Sequence, residues 1–197
     1  IYISSDQVFD GEKDAPYQTK ALPRPINNYG VTKTMSEAIL QTYEQSTIVR
    51  TAMVYDLDSS LHESEYLNSS KLLIQGEIIP HLQIRASQGK QIKLATNEVI
   101  NPTSVQTLIK QLKTIIDTET FGTLHCCGSE AVSKYEFGQL ICDVFNLDND
   151  YLNPTQADNP IRPENVSLAT ESSEQRLDMT FPTLEEQLRQ LHDRRTR

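Results

Sequence analysis

The sequence predicts an α/β fold built on a parallel sheet, and three observations carry that reading. An apolar opening strand, a helix and a second strand follow one another within residues 1–55, the order of a βαβ unit. Thr103 to Asp117 then sets Val105, Leu108, Ile109, Leu112, Ile115 and Ile116 at helical spacing, directly before a strand at Gly122 to Cys127. Two capping-box signatures, Ser133 with Glu136 and Thr183 with Glu186, open further helices.

Taken in order, residues 1–9 read as a strand and the turn leaving it. Pro16, Pro23 and Pro25 punctuate a polar loop over 10–27. Asn28 to about Tyr43 reads as a helix with Met35, Ile39 and Leu40 on its apolar side, and Ser46 to Tyr55 as the second strand. Asp56 to Ser70 is polar, carries no period and is predicted to be a loop. A helix over Ile78 to Gln88 and a short strand over Gln91 to Thr96 follow. The capped helix after Ser133 carries Phe137, Leu140, Ile141, Val144 and Phe145, and the last helix carries Leu184, Leu188 and Leu191. The helix over 103–117 is expected to pack back on the sheet.

Composition removes several function classes. With 197 residues, 37% of them apolar, the chain is long enough for a real core. A formal charge of −9 argues against non-specific nucleic-acid binding, which needs a basic face. The one basic cluster, Arg194, Arg195 and Arg197, reads as a solvated helix end. No apolar run approaches the roughly 18 residues of a membrane span, and no secretory signal pattern is present. Three cysteines, two adjacent (Cys126, Cys127), make no paired framework and match no zinc spacing, which points to a reducing cytoplasm. The chain begins inside an apolar run at Ile1, an opening that a natural terminus seldom has.

The residues that carry chemistry lie early. Tyr29 and Lys33 form a Tyr-x-x-x-Lys at the start of the first helix, on one face and about 6 Å apart at Cβ. A lysine ammonium beside a phenol favours the phenolate, and such a phenol can pass a proton to a carbonyl oxygen as hydride reaches the carbon. Alone, a pair at this spacing carries little weight. Its surroundings carry more: Ser4-Ser5-Asp6-Gln7-Val8-Phe9-Asp10-Gly11 upstream, Pro25-Ile26-Asn27-Asn28-Tyr29-Gly30-Val31-Thr32-Lys33 around it, and Arg50-Thr51-Ala52-Met53-Val54-Tyr55 after it. Asn101-Pro102-Thr103-Ser104, Gly122-Thr123-Leu124-His125 and Arg162-Pro163-Glu164-Asn165 extend the match along the chain.

This set of motifs resembles the extended short-chain dehydrogenase/reductase superfamily, and most of all its dTDP-4-dehydrorhamnose reductase (RmlD-like) family. The resemblance implies the C-terminal portion of a doubly wound, Rossmann-like parallel sheet with a smaller α/β substrate-binding lobe. It also implies NAD(P)H-dependent reduction of a nucleotide-linked 4-keto sugar, with NADP(H) or NAD(H) as cofactor. Residue by residue, Ser5 takes the hydroxyl position that hydrogen-bonds the substrate carbonyl and Tyr29 takes the general acid. Lys33 takes the group that binds the nicotinamide ribose, so Tyr29 and Lys33 are also the cofactor-binding residues. The expected division is 1–55 as the closing strands and active-site helix of the dinucleotide-binding domain and 56–102 as a loop and substrate-lobe segment. Residues 103–121 are then a helix returning to the sheet, and 122–197 the substrate-binding lobe. Expected partners are the nucleotide sugar and a missing N-terminal Rossmann half, and a homodimer stays open.

Three departures stand beside the match. The glycines lie at 11, 30, 76, 89, 122, 128 and 138, so the Gly-x-x-Gly-x-x-Gly loop that takes a dinucleotide pyrophosphate is absent. Gln7 and Met53 stand where rhamnose-type members usually carry Tyr and Trp, and Asp56–Ser70 is longer than usual. The alternative function is a non-catalytic regulatory subunit, since the beta subunit of methionine adenosyltransferase resembles the same motifs. Gln7 after Asp6 argues against a dehydratase, whose Asp-Glu pair moves protons that an amide does not. The epimerase Val-Tyr-Gly turn differs from Val8-Phe9-Asp10-Gly11. Asp6 reads as structural, His125 as a core histidine, Cys126 and Cys127 as packing residues; Arg162 suits either a nucleotide phosphate or a salt bridge.

Overall fold

The computed structural model describes residues 1–13, 16–57 and 77–195. Most of the predicted loop over Asp56–Ser70 falls outside the described residues, as do Arg197 and the side chain of Arg195.

The first βαβ unit forms as the pattern predicts. Strand β1 (Tyr2–Ser5) leads through a 3₁₀ turn (Asp6–Val8) and a long loop into helix α1 (Asn28–Leu40), then strand β2 (Thr47–Thr51). β1 and β2 pair in parallel with Ser4 opposite Arg50. After the two-residue strand β3 (Val54–Tyr55) come helix α2 (Ile78–Ser87), strands β4 (Ile92–Ala95), β5 (Val99–Ile100) and β6 (Thr103–Ser104), and helix α3 (Val105–Asp117). Strand β7 (Gly122–His125) joins the sheet beside β2, again in parallel, giving the order β1-β2-β7.

Side chains alternate across a strand, so this sheet has two different faces. Val49 and Leu124, opposite one another in register, point to the side where Ile115 of α3 packs with Cys126, Leu177 and Phe181. Ser4 and Arg50 point the other way, toward α1. Helices therefore cover both faces, a doubly wound arrangement.

The α1 face departs from the sequence expectation. Met35 and Ile39, read as its apolar side, are 63% and 64% exposed, and the helix buries Gly30 and Glu37 instead. The reason lies in the strands beneath. Arg50 is buried in the middle of β2, and a buried guanidinium needs a carboxylate. Glu37 supplies it through Arg50 Nε (3.0 Å) and Nη2 (2.7 Å), while Ser4 donates to the same carboxylate at 2.5 Å. Arg50 also donates to the Thr19 carbonyl and lies 5.0 Å from the Phe9 ring centre. Periodicity chose the wrong side because the polar row faces inward here.

The remaining elements are strand β8 (Val132–Ser133), helix α4 (Lys134–Phe145), strand β9 (Leu152–Thr155), and helices α5 (Glu171–Leu177) and α6 (Leu184–Arg195); α5 joins the first core through Leu177, and the others gather round a second one. Phe137, Ile141 and Phe145 of α4 pack on Ile92 and Leu94 of β4 and on Leu152, closed by α2 and α6. Both capping boxes form: Ser133 and Glu136 exchange bonds at the start of α4, and Thr183 and Glu186 do so at the start of α6. β9 pairs in parallel with β4 and escaped the sequence reading, because Leu-Asn-Pro-Thr has neither alternation nor an apolar run. Asn101 ties distant segments together by donating to the carbonyls of Gly128 and Leu168 and accepting from Leu168 N–H at 2.8 Å. Among the described residues no helix is long and apolar enough to cross a membrane.

Candidate active site

In an open parallel sheet the region beyond the carboxyl ends of the strands is where ligands collect. β1 ends there at Ser5, whose hydroxyl caps the following 3₁₀ turn. Its oxygen accepts from Gln7 N–H at 3.1 Å, and its proton goes to Asp6 Oδ1 at 2.8 Å.

Helix α1 is anchored to that same turn. Asn27 caps the helix by accepting from Gly30 N–H at 2.8 Å, and its amide donates to Gln7 Oε1 (3.1 Å) and to the Ile161 carbonyl (3.2 Å). Gly30 lies flat on the turn: a Cβ there would come within 2.0 Å of the Gln7 carbonyl oxygen and 2.8 Å of Pro25. Only glycine allows the helix this close. Gly30→Ala is therefore expected to push the start of α1 off the turn, costing about 1–3 kcal/mol or more. A lower urea midpoint is the check; an unchanged midpoint would show that the approach is not needed.

That anchoring sets Tyr29 and Lys33 beside the end of β1. Tyr29 is 54% exposed, with its ring toward solvent rather than in a core. Lys33 Nζ lies 5.5 Å from the Tyr29 ring centre and 5.0 Å from that of Tyr2, and donates to the Ile3 carbonyl at 2.9 Å. Tyr29 and Lys33 thus share one side of α1 near β1, whereas the Ser5 hydroxyl is engaged with Asp6 and Gln7 rather than with Tyr29. An ammonium satisfied by one backbone carbonyl keeps donors for a diol, and an exposed phenol can be approached by a carbonyl.

Asp6 has an unusual setting. It is buried, and burial raises its carboxyl from 3.8 to about 6, against the bonds from Ser5 and Gln7 and the field of Lys134. The folded chain holds this proton more tightly than the unfolded chain, so stability falls as pH rises from about 4 to about 6, by about 3 kcal/mol at most. Urea midpoints of Asp6→Asn and wild type are expected to diverge in favour of Asn across that window. Parallel curves would contradict the assignment.

The remaining candidates take structural places. His125 is buried, its Nδ1–H donates to the Ala169 carbonyl at 2.9 Å, and burial with Arg50 nearby pushes it down to about 3. Its Nε2 has no hydrogen-bond partner among the described residues. Cys126 and Cys127 are buried, and burial raises both thiols, Cys126 to about 12. Arg162 makes an ion pair with Glu98 at 3.4 Å, and Lys134 pairs with the same carboxylate. Arg162 and Glu98 border a cleft of about 290 Å³ lined also by Asp10, Gly11, Ile26 and Asn159.

Two motifs far apart in sequence meet at this cleft. Gly11 has φ +79°, and a Cβ there would stand 2.6 Å from Pro163. Asn165 N–H donates to the Gly11 carbonyl at 3.3 Å, so the Asp10-Gly11 turn sits directly on Arg162-Pro163-Glu164-Asn165. Tyr17 braces the turn, stacking on Phe9 at 4.1 Å, donating to Asp10 and accepting from Gly11 N–H. Sequence reasoning missed Tyr17 and Glu37; a tyrosine in a proline-punctuated loop and a glutamate inside a helix carry no local signal.

Comparison with known proteins follows this geometry. The family described as RmlD substrate binding domain matches residues 1–197. Methionine adenosyltransferase 2 subunit beta of Bos taurus is 33% identical over 175 residues, covering 85% of this chain and 49% of that protein. The probable low-salt glycan biosynthesis reductase Agl14 of Haloferax volcanii is 28% identical over 197 residues, covering 95% of this chain and 61% of that protein. The chain thus spans about half to three-fifths of these relatives' length. The crystal structure of dTDP-4-dehydrorhamnose reductase from Bacillus anthracis in complex with NADP superposes with a TM-score of 0.81 at 22% identity, covering 98% of this chain and 63% of that one. A dTDP-4-dehydrorhamnose reductase ortholog from Clostridium acetobutylicum gives 0.80 at 24% identity, covering 100% of this chain and 65% of that one.

Proposed function

Because the chain belongs to the RmlD substrate binding domain family, we propose that it forms part of an NAD(P)H-dependent reductase of a nucleotide-linked 4-keto sugar. The observation that carries this reading is the exposed Tyr29 with Lys33 beside it at the end of β1, anchored through Gly30 to the turn that Ser5 caps. A bound nicotinamide supplies the hydride. Tyr29 donates its phenolic proton to the sugar oxygen, and Ser5 hydrogen-bonds that oxygen and orients it. Lys33, bonded to the Ile3 carbonyl, would hold the ribose hydroxyls of that cofactor and keep a positive charge beside the phenol. The residues fit the nicotinamide end of the cofactor. Its pyrophosphate needs a glycine-rich turn that the glycine positions of residues 1–197 do not form, so we assign that part to a separate Rossmann half. The cleft beside Arg162 suits the nucleotide sugar, and three free buried cysteines suit a cytoplasmic setting.

The test is NADPH oxidation by the full gene product with dTDP-4-dehydrorhamnose, followed at the nicotinamide absorbance. Turnover in excess of a Tyr29→Phe control supports the reductase. Its absence, with a folded protein, favours the second reading: a regulatory subunit like methionine adenosyltransferase 2 subunit beta, to which the chain is 33% identical.

A further inference from the structure

The Ser5 hydroxyl has one proton and two lone pairs, and the fold commits most of them. Gln7 N–H takes one lone pair and Asp6 takes the proton. A carbonyl oxygen can only accept a hydrogen bond, so it receives nothing from Ser5 in this arrangement. If Ser5 simply rotated away, the buried Asp6 carboxylate would lose a donor in a place where lost donors are costly. A proton on Asp6 resolves the conflict: the acid then donates to the second lone pair of Ser5, whose own proton is released.

We propose that Asp6 is a proton-linked positioning residue: ionised, it holds the Ser5 hydroxyl closed, and protonated, it reverses their hydrogen bond and frees the Ser5 proton for a substrate oxygen. The proposal deepens the reductase reading and rests on it for the substrate oxygen. Asp6 is buried, and in this proposal it acts through Ser5. The proton comes from solvent and leaves to solvent, and no covalent bond to carbon changes. The groups that face Asp6 are few. Ser5 and Gln7 on its own segment hydrogen-bond it, Lys134 at the start of α4 attracts its charge, and Cys127 beyond β7 repels it when ionised. Lys134 is already held by Glu98, which also takes Arg162, so its help to the carboxylate is shared. Burial outweighs these and raises the Asp6 carboxyl to about 6.

The test has two arms on the full gene product. In the first, carbon-13 signals of the Asp6 carboxyl and the Ser5 β-carbon are followed against pH, with Asp6→Asn giving the assignment. The Ser5 signal is expected to move with the Asp6 midpoint, and Ser5→Ala to raise that midpoint by removing a donor to the carboxylate. A Ser5 signal that stays flat while Asp6 titrates overturns the proposal. In the second arm, NADPH turnover of dTDP-4-dehydrorhamnose is measured from about pH 5 to pH 8. Wild-type kcat is expected to fall about tenfold across the Asp6 midpoint, with KM little changed, a modest share of what losing an oxyanion donor costs. Asp6→Asn, whose amide donates to Ser5 at every pH, is expected to lose that descent; the same descent in Asn overturns the proposal. Wild type without turnover at any pH removes the reductase reading instead, and the titration arm then decides the Ser5–Asp6 exchange alone.

Discussion

Tyr29→Phe in the full gene product is expected to lower turnover of dTDP-4-dehydrorhamnose with NADPH by about 10²–10⁴-fold, the usual contribution of a positioned acid. Substrate affinity should change little, because the ring stays and only the proton donor leaves. Folding should also be untouched, since the side chain is 54% exposed. Ser5→Ala should cost less, about 10–10³-fold, because Tyr29 still contacts the same oxygen. Steady-state kinetics with a matched thermal melt separates these outcomes from misfolding. Wild-type turnover in Tyr29→Phe would reduce the pair to a relic of the fold and favour the subunit reading.

Glu37→Ala should produce the largest stability loss, about 3–5 kcal/mol, by leaving the Arg50 guanidinium buried without its carboxylate. Arg50 and Glu37 are 2% and 1% exposed, so water does not screen the vacancy. Ser4 would lose its acceptor as well. Urea unfolding of residues 1–197 checks this directly, with the exposed Met35→Ala as reference. A loss as small as that of the reference would mean the ion pair is dispensable.

These two expectations mark where sequence reasoning succeeds and where it stops. The first βαβ unit, the helix over 103–117 and both capping boxes were legible because each writes its physics locally, as period, spacing or a reciprocal cap. The α1 orientation was not. Its period is real, but Met35 and Ile39 form the outward row, and only the partner strand explains why Glu37 faces inward. β9 was invisible for a related reason: it gains its state from β4, not from its own residues. At the candidate site, Tyr29, Lys33 and Ser5 are proposed from motif resemblance, and the structure adds what holds these side chains in place: the Gly30 approach, the Asn27 bridge and the Asp6 bond. Those rest on contacts between distant segments, which no window of sequence contains. Asp6 reads as structural in the sequence, and its buried carboxyl is held by the Ser5 hydroxyl and by Gln7, side chain and backbone N–H alike.

Lys33 has a consequence unrelated to chemistry. β1 lies at the margin of its sheet, with Ile1 and Ile3 exposed, and the helix above shows solvent Val31, Met35 and Ile39. Unpaired backbone groups at such a margin are where a sheet takes its next strand, and the separate Rossmann half proposed above would continue the sheet there. The Lys33 ammonium, seated on the Ile3 carbonyl, sets a charge beside that seam. A Lys33 variant would then alter this seam as well as the proposed site, so its particle size in solution, measured on the full gene product, has to be known before its activity can be interpreted.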